Sequence, residues 1–227
     1  MAKKIADCAG QILASPLFEG FDREEALGLI EALEGEIAAC PAGTHLAAAG
    51  QSAPRPGVLF LLLEGQIQSV RYGLHGEQRM IDYSMPGSVL GSPQALAGEE
   101  TYHNALLAGS DCLLLRLRLP EWSDDRLPVR KLERNLLRLT VQRNILLMRK
   151  VDVLSGRSVR EKLLTYLRYE SELQHSPEFD VPLNRQELAD YIYVDRTTLS
   201  TELGKMQREG LIRFRRKHFV LLTAAQG

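Results

Sequence analysis

NRQELADYIYVDRTTLSTELGKMQREGLI, residues Asn184–Ile212, contains two apolar patterns separated by a few residues. Leu188, Ala189 and Ile192 make one face of a short helix, and Leu199, Leu203 and Met206 follow i, i+4, i+7 on a longer one. Asp195 stands at the start of the second helix, where its carboxylate can accept from the free amides of the first turn. With the apolar stripe turned inward, the opposite face carries Arg196, Thr197, Ser200, Thr201, Lys205 and Arg208. These are the residue types that read a DNA major groove: arginine can bond a guanine edge through two donors, and threonine offers a hydroxyl to a base or a methyl to thymine. Arg185, at the opening of the first helix, joins this candidate DNA-binding set.

Gly210 ends the pattern, and LIRFRRKHFVLL (Leu211–Leu222) then alternates like a hairpin, with Arg213, Arg215, Arg216, Lys217 and His218 near its turn. That reads as a basic wing, in which Arg215 and Lys217 are candidate phosphate contacts that add affinity without sequence information. Two positions stand out. Tyr193 occupies the inter-helix turn, where many such motifs place glycine; a tyrosine at positive φ is strained, so a wider turn is expected. Gly204 lies inside the second helix at a cost of about 1 kcal/mol relative to alanine, and is read as simple tolerance.

The chain of 227 residues has room for two modest domains, and its formal net charge of −1 conceals an asymmetry. Residues 1–125 carry 8 basic and 17 acidic side chains, residues 126–155 carry 8 and 2, and residues 156–227 carry 12 and 10. An acidic front and a basic rear put only the rear against a polyanion. Cys8, Cys40 and Cys112 form no CxxC pair and are odd in number, which argues against a disulfide framework and against a four-cysteine metal site. The N-terminal apolar run is interrupted at Asp7 and Gly10, and no run approaches a membrane span, so a soluble, cytoplasmic protein is expected.

Residues Ile5–Leu33 read as helical around a break at Ser15-Pro16 and Gly20. From Ile37 to about Leu119, short runs such as VLFLLLEG, QIQSVRY, QRMIDYS and DCLLLRLRL alternate with dense Gly and Pro, which is the texture of a β sandwich or roll. Glycine and proline then nearly vanish between Leu127 and Val153, where one long helix is expected. Leu132, Leu136, Leu139 and Leu146 approximate a heptad seam, interrupted by Arg143 and Lys150, while Leu137, Val141, Ile145 and Met148 widen the apolar surface. A seam between two identical helices accounts for this length, and twofold symmetry suits the reading of palindromic DNA. Ser155-Gly156 forms a hinge to a further amphipathic helix over Ser158–Leu173. The expected architecture is α+β in three parts: a double-stranded β-helix or jelly roll over 1–125, a dimerisation helix over 126–155 and a winged helix-turn-helix over 156–227.

This order, with the phrases SVREKLLTYL, LFLLLEGQIQSV and GEQRMIDYSMPGSVLG, resembles the Crp/Fnr family of bacterial transcription regulators over almost the whole chain. The resemblance implies a cyclic-nucleotide-binding-like roll whose effector alters how two recognition helices are spaced, with palindromic duplex DNA, a second copy of the chain and RNA polymerase as partners. Members that bind cyclic AMP carry a glutamate after the second roll glycine and an arginine followed by serine or threonine. Here Gly91 is followed by Ser92, and the phosphate segment reads Tyr102, His103, Asn104, Ala105. With both anchoring charges missing, cyclic AMP is not the expected effector, and Ser92, Tyr102, His103 and Asn104 are the candidate pocket for another one. Oxygen-sensing members hold an iron–sulfur cluster through four cysteines, one more than this chain has. For haem the candidate ligands are His45, His75 and His103; without an attachment motif they read first as ordinary turn or surface histidines, and the cofactor stays unknown. A small organic ligand or a thiol switch at Cys112 stays open.

Family members often have glutamate and arginine where this chain has Thr197 and Thr201, so its operator should differ from the best-known half-sites. The leading reading is a homodimeric DNA-binding regulator; the alternative is a ligand-binding or protein-interaction module whose wing contacts protein. No Gly-rich phosphate loop, paired catalytic carboxylates or Ser/His/Asp order marks an enzyme, and no metal site is expected.

Overall fold

The computed structural model describes residues 4–53, 57–73, 78–91, 96–97, 99–119 and 127–222. It divides into two compact units, Met1–Gln142 and Arg143–Gly227. The first opens with helix α1 (Ile5–Leu13), a 3-10 turn (Pro16–Phe18) and helix α2 (Arg23–Ala32). Asp22 caps α2 by accepting from the Glu25 amide at 2.8 Å, and the Glu25 carboxylate accepts in return from the Asp22 amide.

Among the described residues eight strands follow: β1 (Glu36–Cys40), β2 (His45–Ala47), β3 (Val58–Glu64), β4 (Ile67–Tyr72), β5 (Gln78–Ser84), β6 (Val89–Leu90), β7 (Ala105–Ala108) and β8 (Cys112–Arg118). They form two antiparallel four-stranded sheets, ordered β1-β8-β3-β6 and β2-β7-β4-β5, the jelly roll expected from the turn-rich texture. The unbroken apolar runs of β3 and β8 have a direct cause, since their sheet is covered on both faces. Leu59, Leu61, Leu63, Leu113, Leu115 and Leu117 pack outward into a core shared with Phe18, Leu29 and Ile30 of the N-terminal segment. Leu62, Leu114, Cys40 and Cys112 belong to a second core with Ile67, Leu90 and Ala108. Gly65 joins β3 to β4 at φ +88°, and a Cβ there would lie 2.4 Å from the Asp111 carbonyl, so only glycine fits.

Helix α3 runs from Leu127 to Ser155, matching the expected long helix, but the unit boundary falls inside it rather than at its ends. Its first half is held on the first unit. Val129, Leu132 and Leu136 are buried in the outer core, Leu139 packs against it, and buried Asn135 donates to the Leu17 and Glu19 carbonyls at 3.0 and 2.9 Å. Lys131 reaches the Glu25 carboxylate at 2.7 Å. The dimer seam drawn through Leu132, Leu136, Leu139 and Leu146 is therefore corrected: the chain's own core uses Leu132 and Leu136, and only Leu146 of the four is exposed. A heptad count sees apolar spacing and not which face the fold covers first. The exposed apolar positions include those that merely widened the surface, Leu137 (67% exposed), Val141, Ile145 and Met148, together with Leu127, Leu146, Leu147 and Val151.

The second unit contains the rest of α3, then α4 (Val159–Leu173), strand β9 (Glu178–Asp180), α5 (Arg185–Tyr191), α6 (Arg196–Arg208), β10 (Ile212–Arg215) and β11 (His218–Leu221). The hairpin β10–β11 is the expected wing, and β9 adds a third strand in the order β10-β11-β9. Three residues with one apolar side chain, Phe179, give no alternation to read, which is why β9 was not legible in the sequence. Gly156 follows the end of α3; a Cβ there would meet the Lys162 amide at 3.0 Å, so close packing on the first turn of α4 accounts for this glycine.

Candidate nucleic-acid interface

Three helices and the wing build one compact site. Asn184 caps α5 by accepting from the Gln186 and Glu187 amides at 2.9 and 3.0 Å, and Glu187 closes the box by accepting from the Asn184 amide at 2.6 Å. Leu188, Ala189 and Ile192 of the α5 segment are buried with Leu199, Leu203 and Met206 of α6, the six positions read from the spacing. The turn between them is not widened, contrary to the sequence expectation. Tyr193 itself adopts φ +56°, and the Val194 amide donates to the Ala189 carbonyl at 3.0 Å. The strained conformation is seated by a cation: the Lys150 ammonium stands 3.5 Å from the Tyr191 ring centroid and 5.8 Å from that of Tyr193. Lys150, taken from the sequence as an interruption of the seam, is only 6% exposed.

Asp195 caps α6 as expected, accepting from the Thr198 amide at 2.8 Å and from the Thr198 hydroxyl. The Thr198 bonds hold the Asp195 carboxyl below its ordinary pKa, so the cap is charged at neutral pH. The exposed face then presents Arg196, Thr197, Ser200, Thr201, Lys205 and Arg208 to solvent. Not all of them are equally available. The Ser200 hydroxyl donates to the Arg196 carbonyl at 2.8 Å, leaving it only acceptor capacity, and Arg208 Nε donates to the Gly204 carbonyl at 3.2 Å. Lys205 lies 3.8 Å from the Glu202 carboxylate, a long and exposed pair that a phosphate can displace. A Cβ on Gly204 would meet nothing within 4 Å, so no close approach within the chain requires that glycine.

The wing turns at Arg216, φ +57°, between Arg215 and His218. Arg213, Arg215, Arg216 and Lys217 are all exposed, although the Lys217 ammonium donates to the Pro182 carbonyl at 2.8 Å. Arg185 plays a different part from a free groove contact. Its guanidinium stacks over Phe214 at 5.0 Å and Phe219 at 5.8 Å and donates to the Arg216 carbonyl at 3.4 Å, so it fixes the wing against the start of α5. Burial first, and the positive charge of Arg196 second, lower its pKa.

Arg160 of α4 makes a tie between helices that the sequence did not reveal. Its Nε donates to Glu202 at 2.6 Å, and its two terminal nitrogens donate to Glu209 at 2.6 and 2.9 Å, tying the middle and the end of α6 to α4. Glu202 and Glu209 are seven residues apart on one helix face, but nothing in the linear order pairs them with a residue 42 positions earlier.

Of the proposed effector pocket, Ser92 lies outside the described residues. Tyr102 is buried beside Gly91, and burial raises its phenol pKa. His103 is exposed and contacts Glu99 at 3.2 Å, while the Asn104 side-chain oxygen is buried with no hydrogen-bond partner among the described residues. Among the haem candidates, exposed His45 bonds the Tyr72 hydroxyl at 2.9 Å, and His75 lies outside the described residues. Cys112 is buried and burial pushes its thiol pKa up, the opposite of an activated thiolate. Among the described residues no group of three or more His, Cys, Asp or Glu could hold a metal ion, and no helix is long and apolar enough to cross a membrane.

Comparison with known proteins agrees with this geometry. A cyclic nucleotide-binding domain family matches residues 38–124, and a Crp-like helix-turn-helix domain family matches residues 161–226. The transcriptional activator protein FnrL of Cereibacter sphaeroides is 25% identical over 157 residues, 65% of this chain and 62% of that relative. Among solved structures, a CooA variant from Carboxydothermus hydrogenoformans shares the fold with a TM-score of 0.69 at 15% identity, covering 93% of this chain and 89% of its own. FixK2 from Bradyrhizobium japonicum does so with a TM-score of 0.64 at 15% identity, covering 82% and 92%. A cyclic nucleotide-binding roll followed by a long helix and a Crp-like helix-turn-helix places the chain in the Crp/Fnr family of transcription regulators.

Proposed function

We propose that this protein is a homodimeric, sequence-specific DNA-binding transcription regulator of the cytoplasm, without enzymatic activity, whose roll senses an effector other than cyclic AMP and thereby controls operator binding. The observation that carries the reading is α6: three side chains with no exposed surface anchor it, and its opposite face exposes Arg196, Thr197, Ser200, Thr201 and Lys205. In this arrangement α6 enters the major groove, Arg196 and the threonines meet base edges, and Arg213, Arg215 and Arg216 lie on phosphates. Lys217 and Arg185 act behind them by holding the wing's shape. The exposed apolar row along α3 supports assembly with a second copy, which doubles the contacts on a palindromic duplex, and RNA polymerase is a further partner.

For the effector, the roll offers buried Tyr102 and the unpaired Asn104 oxygen and no described arginine on that segment, which favours a ligand that donates a hydrogen bond over one that brings a phosphate. Fluorescence anisotropy with a duplex library at several salt concentrations tests the function. The regulator reading predicts binding that weakens steeply as salt rises, because phosphate neutralisation releases counterions. A module whose wing contacts protein would show no such slope and no selected site.

A further inference from the structure

Cys40 ends strand β1 and Cys112 begins strand β8, and the antiparallel register sets them directly opposite each other. Directly opposed residues of an antiparallel ladder have side chains on the same face and Cα atoms about 4.5 to 5.5 Å apart, inside the range of roughly 4.4 to 6.8 Å that a disulfide spans. Both thiols belong to the same core cluster, whereas Cys8 of α1 is buried in the other core. The pair sits at the end of its ladder, with Cys40 on the edge strand of the sheet and Cys112 on the strand next to it. Two turns bracket it and are bonded together: the Ala42 amide donates to Asp111 at 2.9 Å and the Gly43 amide to the Ala108 carbonyl at 2.8 Å.

From this placement we infer that Cys40 and Cys112 are a redox modification site, closed into an intramolecular disulfide by hydroperoxides. The structure shows the reduced state, with neither cysteine in a disulfide. The Thr44 hydroxyl donates its hydrogen to the Pro41 carbonyl at 2.6 Å, so in the 3.1 Å contact with Cys40 the thiol is the donor. Cys112 likewise donates to the Gln66 or Ser110 carbonyl, at 3.3 or 3.2 Å. Cys40 lies on the edge strand β1 whereas Cys112 lies on β8 inside the sheet, which assigns the first step to Cys40.

Cys40 sulfur attacks an oxygen of the hydroperoxide; an S–O bond forms, the O–O bond breaks, and the thiol proton leaves with the departing oxygen as water or alcohol. Cys112 sulfur then attacks the resulting sulfenic sulfur. The S–S bond forms, the S–O bond breaks, and the hydroxyl leaves as water with the Cys112 proton. Two thiols are oxidised by two electrons and one peroxide is reduced. The product staples the edge strand β1 to β8 and joins the two turns covalently. This inference concerns the roll alone and does not depend on DNA binding.

The test treats the folded full-length protein with hydrogen peroxide, then digests it without reductant and maps cross-linked peptides by mass spectrometry. The expected result is a Cys40–Cys112 cross-link two hydrogens lighter than the thiol pair, reversed by dithiothreitol, retained in Cys8→Ser and absent in Cys40→Ser. In Cys112→Ser, the sulfenic acid is expected at Cys40, trapped by dimedone. The mapping in the unmodified sequence decides the matter if a variant fails to fold. Oxidation confined to Cys8, conversion of Cys40 to the sulfinic acid without a cross-link, or a mixture of all three pairings would each overturn the proposal.

Discussion

Replacing Leu132 by alanine and, separately, Leu137 by glutamate separates the inner face of α3 from the outer one. Leu132 has no exposed surface and shares its core with Phe18, Leu29 and Leu115, so its truncation removes buried methyl groups and leaves a cavity. Such a change costs about 2 to 5 kcal/mol, and in a domain of this size each kcal/mol lowers the melting temperature by roughly 2 to 4 °C. Leu132→Ala is thus expected to melt on the order of 10 °C lower while its dimer persists below the transition. Leu137 is 67% exposed and outside both cores of the roll, so a glutamate there should change folding stability by only about 0.5 kcal/mol. In the proposed dimer, however, it would face its symmetry mate in an apolar seam and place two carboxylates together out of water, and the protein should become monomeric. Thermal melts paired with sedimentation at several concentrations read both effects. A Leu132→Ala protein that dissociates with an unchanged melt, or a Leu137→Glu protein that stays dimeric, would refute the assignment of faces.

Gly204→Ala should stabilise the second unit by up to about 1 kcal/mol in denaturant unfolding, because its Cβ enters open space in a helix interior; a loss of stability would show that the glycine is needed. His218 lies 3.0 Å from both Asp180 and Glu178, which raise its pKa above the ordinary 6.5. Its contribution to the wing is therefore complete below that ordinary value and is lost as pH rises through the elevated folded value; an NMR titration of the imidazole should show the upward shift, and Asp180→Asn should reduce it. Cyclic AMP titrated by calorimetry should give no saturable heat, and micromolar binding would mean that another group replaces the missing arginine.

The helix-turn-helix was legible because its six anchors follow helical periods and its Asp195 cap is a chemical signature, and the structure buries those anchors and forms that cap. The roll was legible from turn spacing, but its outer core was not: consecutive leucines in VLFLLLE announce two covered faces without saying what covers each. That gap misplaced the seam, since the N-terminal helices had already claimed Leu132 and Leu136. Contacts between distant side chains were equally hidden. Lys150 under Tyr191 and Arg160 across Glu202 and Glu209 come from tertiary packing, and charged residues in helices read from sequence as solvated. Tyr193 shows the converse, a steric rule that the fold overrides where the Val194–Ala189 backbone bond closes the turn and Lys150 lies beside the ring.

The central claim, that α6 reads base edges while the wing holds phosphates, is tested most directly by Arg196→Ala in a competition assay between the selected palindrome and random duplex. The account predicts a loss of roughly 1 to 3 kcal/mol of discrimination per half-site, with weak, salt-sensitive binding to random duplex retained through Arg213, Arg215 and Arg216. Unchanged preference for the palindrome would contradict it.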